Sequence, residues 1–329
     1  MKNEVLSVAE AAKRIEAGAV MVLAGDEALL AQLPRGKWIG GTTVYFVTED
    51  GGTVMRDKLF CTTFAEATGA VPRYVDVAGL PEISKGYTPG GFTMIMIPAF
   101  SVAHSNFAVE GQTYPGLFDQ PLSGWITGVH LDDIGKRAPK IFVGSTGIGH
   151  DEGAALLHVA LPEGAHVDLD ILNIFARGDS AALTFSFPEA GFAAKTAVVN
   201  GEEVNFARYI TETGIDTRLP LVANYAGALV NVSIQSVDVE AGEVKFYAPV
   251  VAGVEYRLAN ALGSYAQAFA QGAGETGEGQ YSCNCILNYL YGELEGQRTG
   301  KFTGPITFGE IAYILLNQTL VKMDISNAA

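Results

Sequence analysis

The amino-acid sequence predicts an α/β to α+β protein whose β-rich mixed sheets are flanked by helices. Three observations predict this class: 39 glycines among 329 residues, many short β-branched or aromatic runs, and separate stretches with helical spacing. The length suits one large domain or two of ordinary size. No Pro/Ser linker, low-complexity tract or internal repeat divides the chain, so we expect two intimately packed lobes.

Composition excludes several classes of function. Apolar residues make up 48% of the chain and charged residues 17%, which predicts a sizeable core. The net charge of −15, with lysines and arginines scattered singly, argues against nucleic acid and anionic membranes as partners. The N-terminus has no apolar targeting segment, and no run reaches the ~18 apolar residues that span a bilayer. We therefore expect a cytoplasmic protein.

The N-terminal elements carry clear local signals. A capping box formed by Ser7 and Glu10 predicts a helix that ends near Gly18. A buried strand follows at residues 20–23, and Asp26 is placed to cap a second helix.

Two glycines and two threonines at residues 40–43 predict a kinked strand where the backbone approaches another part of the protein, with a β-bulge as the simpler alternative. Residues 44–47 and 53–64 predict a hairpin, and residues 90–98 a strongly apolar strand. Polar residues beyond that strand, around His104, are expected near a cleft. Another strand begins around Trp125.

Residues 140–175 carry the strongest parallel-sheet pattern. Strands at 140–143 and 167–175 flank a Gly-rich turn and a helix predicted at 151–160. The glycine spacing is not the dinucleotide fingerprint, so a tight turn is the preferred interpretation over nucleotide binding. From residue 183 onward the pattern is mostly strands.

Helices are predicted at residues 256–269 and 286–294, with an exposed loop at 272–280 between them.

The C-terminal part holds polar side chains between apolar segments. Residues 282–289 and the stretch 305–320, which includes Glu310, resemble the lining of a pocket. The three cysteines lack zinc-site spacing and are expected to be buried thiols. Neither the histidines nor any other residues form a known catalytic or metal motif. Cys283 or Cys285 with His104 or Glu310 remains an alternative catalytic centre.

Several segments resemble proteins with FIST sensory domains. The segments are TFGEI at 307–311, NQTL at 317–320, CNCI at 283–286, IGGTT at 39–43 and the VNG hairpin at 199–201. The resemblance implies an N-terminal-type lobe over residues 1–215 and a C-terminal-type lobe over 216–329. It also implies small-ligand binding for signalling, and some relatives bind haem to sense nitric oxide. No kinase, cyclase or methyl-accepting output domain follows here, so a signal would pass through a partner protein.

We therefore predict a cytoplasmic small-ligand-binding sensor without an output domain of its own. The alternatives are an enzyme with a Cys/His or Glu-centred pocket and a subunit of a homo-oligomer. No cofactor is expected; haem through His104 or His158 is the one alternative. The predicted ligand-binding residues are Gly41, Thr42, Thr43, His104, Cys283, Asn284, Cys285, Asn288, Glu310, Asn317 and Thr319.

Overall fold

The computed structural model of the protein describes residues 1–179, 183–225, 228–272 and 280–326. The chain forms two compact units. The first comprises Met1–Leu172, Ala266–Leu315 and Leu320–Ala329, and the second Asn173–Tyr265 and Leu316–Thr319. The units therefore do not divide at residue 215 as predicted. Strands from both ends of the chain pair within the first unit, which leaves the middle of the chain as a separate unit.

The first unit begins with thirteen strands and three helices. In chain order they are β1 (Lys2–Leu6), α1 (Val8–Glu16), β2 (Met21–Gly25), α2 (Glu27–Leu30), β3 (Trp38–Thr42), β4 (Tyr45–Thr48), β5 (Gly51–Val54), β6 (Leu59–Thr63), β7 (Gly69–Val75), β8 (Phe92–Pro98), α3 (Val102–Glu110), β9 (Leu122–Thr127), β10 (Ile141–Val143), β11 (Ile148–His150), β12 (Ala154–Ala160) and β13 (His166–Leu172). Short 3-10 helices cover Val77–Gly86, Gly111–Thr113, Leu117–Asp119 and Leu131–Asp133.

The second unit is built on strands and one helix. Its elements are β14 (Thr184–Ser186), β15 (Gly191–Ala194), β16 (Thr196–Val199), β17 (Glu202–Asn205), α4 (Phe206–Thr213), β18 (Leu221–Tyr225), β19 (Ala228–Val232), β20 (Ile234–Asp238), β21 (Glu243–Val250) and β22 (Tyr256–Leu258).

The C-terminal part of the chain carries the remaining elements, most of which belong to the first unit. They are α5 (Tyr265–Gly272), β23 (Tyr281–Cys285), α6 (Ile286–Tyr291), β24 (Gly304–Thr307), β25 (Glu310–Ala312), β26 (Ile314–Leu316) and β27 (Leu320–Ser326).

Three six-stranded sheets make up the first unit. Their strand orders are β1-β6-β2-β3-β10-β11, β26-β25-β9-β8-β12-β7 and β13-β27-β23-β24-β4-β5. Each contains one parallel pair among antiparallel neighbours: β2 with β3, β8 with β9, and β23 with β24. The partners of each pair are joined across a helix, as a parallel connection requires. The predicted β-rich mixed sheets with flanking helices are confirmed.

The second unit has a separate core between two sheets. Their strand orders are β17-β16-β14-β22-β18-β19 and β15-β21-β20. Phe187 stands at the centre of an aromatic cluster and contacts Phe206, Phe246 and Tyr256 with ring centroids 5.4 to 5.7 Å apart. These four rings belong to the buried apolar cluster of this unit, and their burial stabilises it.

Local sequence signals near the N-terminus are confirmed. Ser7 and Glu10 form the predicted capping box of α1, and Asp26 caps α2 by accepting a hydrogen bond from the Ala28 amide. The hairpin at Asn200 and Gly201 is also present, because both residues adopt the positive φ that its tight turn requires. These signals depend only on atoms a few residues apart.

The helix predicted at residues 151–160 is wrong. Residues Ala154–Ala160 form β12, which lies between β7 and β8 and pairs antiparallel with both. An apolar run of this length fits a strand buried on both faces as well as a helix, and the neighbouring strands decide between them. The predicted parallel unit at 140–175 is therefore absent, and β10 and β11 form an antiparallel hairpin instead.

The helix predicted at residues 256–269 is only partly correct. Residues Tyr256–Leu258 form β22, which pairs with β14 and β18, and α5 starts only at Tyr265. The pairing partners on both sides outweigh the helical spacing of Leu258 and Leu262. Apart from its first and last residues, the loop predicted at 272–280 lies outside the described residues. Among the described helices, none is both long and apolar enough to cross a membrane.

Candidate functional site

Gly41 and Thr42 end β3, and Thr43 follows it. The β3 pairings with β2 and β10 show no register shift, so the close approach rather than the β-bulge describes Gly41, whose backbone lies against side chains of β8 and β9. A Cβ atom on Gly41 would lie 2.5 Å from Cγ2 of Thr127, so only glycine fits there. The Thr42 hydroxyl accepts a hydrogen bond from the Lys140 amide at 2.8 Å, and the Thr43 hydroxyl donates to the Ile306 carbonyl at 2.7 Å. Both hydroxyls thus tie neighbouring segments of the first unit together.

A cleft forms where β3 and β9 end, and it is lined by Thr42, Thr43 and His130 among others. The Gly128 amide donates to the Thr42 carbonyl at 2.8 Å and holds the two strand ends together. The carboxyl edge of parallel strands is a common place for ligand sites. The cleft nevertheless leaves a free volume of only about 10 Å³, roughly that of one water molecule.

Four charged side chains form a closed ring beside this cleft. Asp133 lies 3.0 Å from Arg56, and Asp26 lies 3.3 Å from Arg137. The ring closes through Arg56 to Asp26 at 3.8 Å and Arg137 to Asp133 at 4.0 Å. Because each guanidinium already faces at least two carboxylates, the ring offers little uncompensated charge to a ligand.

Five predicted ligand residues lie together in the interior of the first unit. They are Cys283, Asn284, Cys285, Asn288 and Glu310, each at most 3% exposed. The Asn284 Oδ1 atom accepts hydrogen bonds from the Cys285 amide at 2.7 Å and from Asn288 Nδ2 at 2.9 Å. The Thr307 hydroxyl lies 3.4 Å from the Glu310 carboxylate. The void beside Asn284 measures about 10 Å³, which is too small for a ligand much larger than one water molecule. We call these five residues the buried polar core.

Two of the three thiols, those of Cys61 and Cys283, are poorly suited to nucleophilic catalysis. Burial, with the charge of Glu4 adding to it, raises the pKa of Cys61 to about 12. Burial and the nearby Glu310 carboxylate raise the pKa of Cys283, whose Sγ donates to the Gly124 carbonyl at 3.5 Å. A thiol is reactive as its thiolate, which these surroundings disfavour. The enzyme centred on Cys283 therefore has little support from this geometry.

We expect the three cysteines to resist alkylation in the folded protein, because all three are at most 1% exposed. Treatment with iodoacetamide at pH 8 followed by intact-mass measurement should show fewer than about one label per chain, and three after unfolding in urea. Rapid modification of Cys283 or Cys285 in the native protein would contradict this expectation and would favour the alternative of an enzyme with a cysteine nucleophile.

The two histidines considered for haem have different surroundings. His104 lies in α3, and its Nδ1 accepts a hydrogen bond from the Phe100 amide at 3.4 Å. His158 is 2% exposed in β12, and its Nδ1 lies 2.9 Å from the Thr93 hydroxyl. Burial lowers the pKa of each to about 4. Within the described residues, no three His, Cys, Asp or Glu side chains are grouped to hold a metal ion.

Asn317 and Thr319 belong to the second unit. The Asn317 side chain accepts a hydrogen bond from Ser233 at 2.7 Å, and Asn231 donates to the carbonyls of Asn317 and Gln318. Both predicted residues are almost fully buried. The Asn317 side chain and the carbonyls of Asn317 and Gln318 therefore fasten the segment 316–319 to the β19–β20 region of that unit.

A larger opening of about 500 Å³ lies elsewhere in the first unit, and none of the predicted residues lines it. We call it the loop groove; its walls are the loops 84–91, 119–121 and 165–167. Gln120 is only 7% exposed and joins two of these loops, since its side-chain amide donates to the Thr88 carbonyl and its Oε1 accepts from the Thr88 amide at 3.4 Å. These two hydrogen bonds fix the loops 84–91 and 119–121 relative to each other.

The wall at residues 84–88 is further fixed by contacts behind it. The Ser84 hydroxyl donates to the Pro115 carbonyl at 2.6 Å, and the Tyr87 hydroxyl donates to the Leu117 carbonyl at 2.9 Å. A Cβ on Gly86 would lie 2.2 Å from Nε2 of His158, so the wall rests on that ring only because residue 86 is glycine. In the sequence, only the cluster of turn residues at 88–91 hinted at this site.

One family model matches nearly the whole chain. A family model described as "Family of unknown function (DUF6976)" matches residues 6–326. No curated protein matches the chain. The resemblance to FIST domains stays a prediction. The match over residues 6–326 shows that the chain belongs to the DUF6976 family, whose function is unknown.

Proposed function

We propose that this protein binds a small molecule in the loop groove and acts in the cytoplasm as a sensor that signals through a partner protein. The volume of the groove, together with the buried and hydrogen-bonded Gln120 in its wall, carries the proposal: about 500 Å³ falls within the ~300–1,000 Å³ typical of small-molecule sites. The strand-end cleft and the buried polar core each leave only about 10 Å³. The sensory part of the proposal draws on the resemblance to FIST domains.

The lining of the loop groove suits a small organic ligand. Apolar ring groups of Tyr87 and Pro121 alternate with polar groups such as Thr88 and Gln120. Because hydrogen bonds already fix the walls, binding would not have to order these loops, which reduces its entropic cost.

Filling the groove tests this proposal. We expect Ala165→Phe, which places a ring in the groove, to abolish ligand retention, while Ala193→Phe leaves it unchanged. Ala193 is the matched control because it lines a groove of about 490 Å³ in the second unit. The measurement is mass spectrometry of small molecules released from each purified protein, supported by thermal-shift screening of a metabolite library.

The proposal is wrong if the wild-type protein neither carries nor is stabilised by any small molecule. It is also wrong if Ala165→Phe, with an unchanged circular dichroism spectrum, retains the ligand as the wild type does.

A further inference from the structure

The loop groove has an unusual balance of charge. Among its twelve lining residues, Asp119 is the only carboxylate, and none is a lysine or arginine. His166 is the other titratable side chain besides Tyr87, and its Nε2 lies 3.2 Å from the Asp168 carboxylate. Lys85 lies on the same loop but pairs with Glu82 at 2.5 Å. A bound anion would therefore meet no lysine or arginine in the lining.

Asp119 is available to a ligand. It is exposed at the end of the short helix Leu117–Asp119, and it forms no ion pair within the described part of the chain. The Asp119 carboxylate lies against Gly116, where a Cβ would be 3.0 Å from Oδ2. A carboxylate without a cationic partner at the edge of a groove attracts a positively charged group.

Tyr87 is the aromatic residue in the lining of the same groove as Asp119. Burial, then Tyr313 and then the charge of Asp119 raise the pKa of the Tyr87 phenol. The Tyr87 hydroxyl is engaged with the Leu117 carbonyl, whereas the ring contributes to the groove lining. Aromatic faces attract cations, and a carboxylate nearby strengthens the site for an ammonium group.

We infer that the loop groove selects a small organic ammonium ion, with Asp119 as its counter-ion and Tyr87 as the ring beside it. The inference rests on the proposed function and adds the chemical class of the ligand. The apolar body of such a ligand would contact Pro89 and Pro121. The chain's net charge of −15 would favour the approach of cations over anions at low ionic strength.

Three probes of similar shape test the inference: benzylammonium, benzyl alcohol and benzoate, each titrated into the full-length protein by protein-observed NMR. We expect benzylammonium to bind about tenfold more tightly than benzyl alcohol, and benzoate more weakly than both. Asp119→Asn should bring benzylammonium to the affinity of benzyl alcohol without changing benzyl alcohol itself. Asp57→Asn, which alters an exposed carboxylate outside the groove, should leave this order unchanged.

Equal or tighter binding of benzyl alcohol or benzoate would overturn the ammonium preference, as would an unchanged affinity in Asp119→Asn. The two proposals fail separately. If Ala165→Phe blocks benzyl alcohol and the co-purified molecule but no ammonium preference exists, the groove remains the binding site and only the ligand class is wrong. If Ala165→Phe leaves all binding intact, both proposals are wrong.

Discussion

Replacing Gly124 by alanine is expected to destabilise the first unit by about 3 kcal/mol or more. Gly124 lies in β9 opposite Ile95 of the parallel neighbour β8. A Cβ atom on Gly124 would lie 1.7 Å from the Ile95 carbonyl oxygen and 2.7 Å from its carbon. Since the contact is with backbone, relief requires the two strands to move apart, which weakens a pair at the centre of the sheet.

The matched control is Gly69→Ala in β7, where the nearest heavy atom to an added Cβ is 3.9 Å away. This change should lie within about 1 kcal/mol of the wild type and, where the backbone conformation suits alanine, should stabilise the protein slightly. Urea unfolding followed by tryptophan fluorescence is the measurement, because Trp38 and Trp125 both lie buried in the first unit. Equal midpoints for the two variants would contradict the expected clash.

Acid is expected to destabilise the first unit through His158. Burial, with Arg73 adding to it, lowers the pKa of His158 to about 4, against about 6.5 in an unfolded chain. Between these values the unfolded chain binds a proton that the folded protein does not. The free energy of unfolding is thus unaffected by this group above pH 6.5 and falls as the pH drops toward 4, by about 3 kcal/mol in total.

The contribution of His158 can be separated from that of other groups by comparing pH profiles. Urea unfolding between pH 7.5 and 4.5 should show a steeper loss of stability for the wild type than for His158→Gln, even if the variant is less stable at every pH. The matched control is His166→Gln, which removes an exposed histidine and leaves the buried imidazole in place. Parallel profiles for wild type and His158→Gln would show that the buried imidazole does not control this acid sensitivity.

The fold was predictable where neighbouring residues decide it. The Ser7–Glu10 capping box, the Asp26 cap and the Asn200-Gly201 turn are all present, since each rests on hydrogen bonds or backbone angles within a few residues. The helix predicted over the run Ala154–Ala160 is a strand in the structure, because the apolar residues of this run fit a buried helix or a buried strand equally well. Its partners Val75 and Met96 lie about 60 to 80 positions earlier in the chain.

The site residues, too, could be predicted only as far as local sequence patterns reach. The clustering of polar residues around Cys283 and Glu310 was recognised, and these residues do lie in one region. Polar side chains between apolar segments are equally consistent with a pocket and with a hydrogen-bonded core. Glu310 is 0% and Cys283 1% exposed, so both side chains lie inside the first unit, and their role in ligand binding stays a prediction. The loop groove was missed because its walls come from three loops with no shared motif.

By itself the sequence determined the β-rich mixed class and the turns and caps of individual elements. Tertiary structure alone decided which strands pair in parallel, where the two units divide and where a ligand-sized opening remains. The physical reason is distance along the chain. Gly91, Gln120 and His166 surround one groove only after β8, β9 and β12 have aligned, and no local pattern records that alignment.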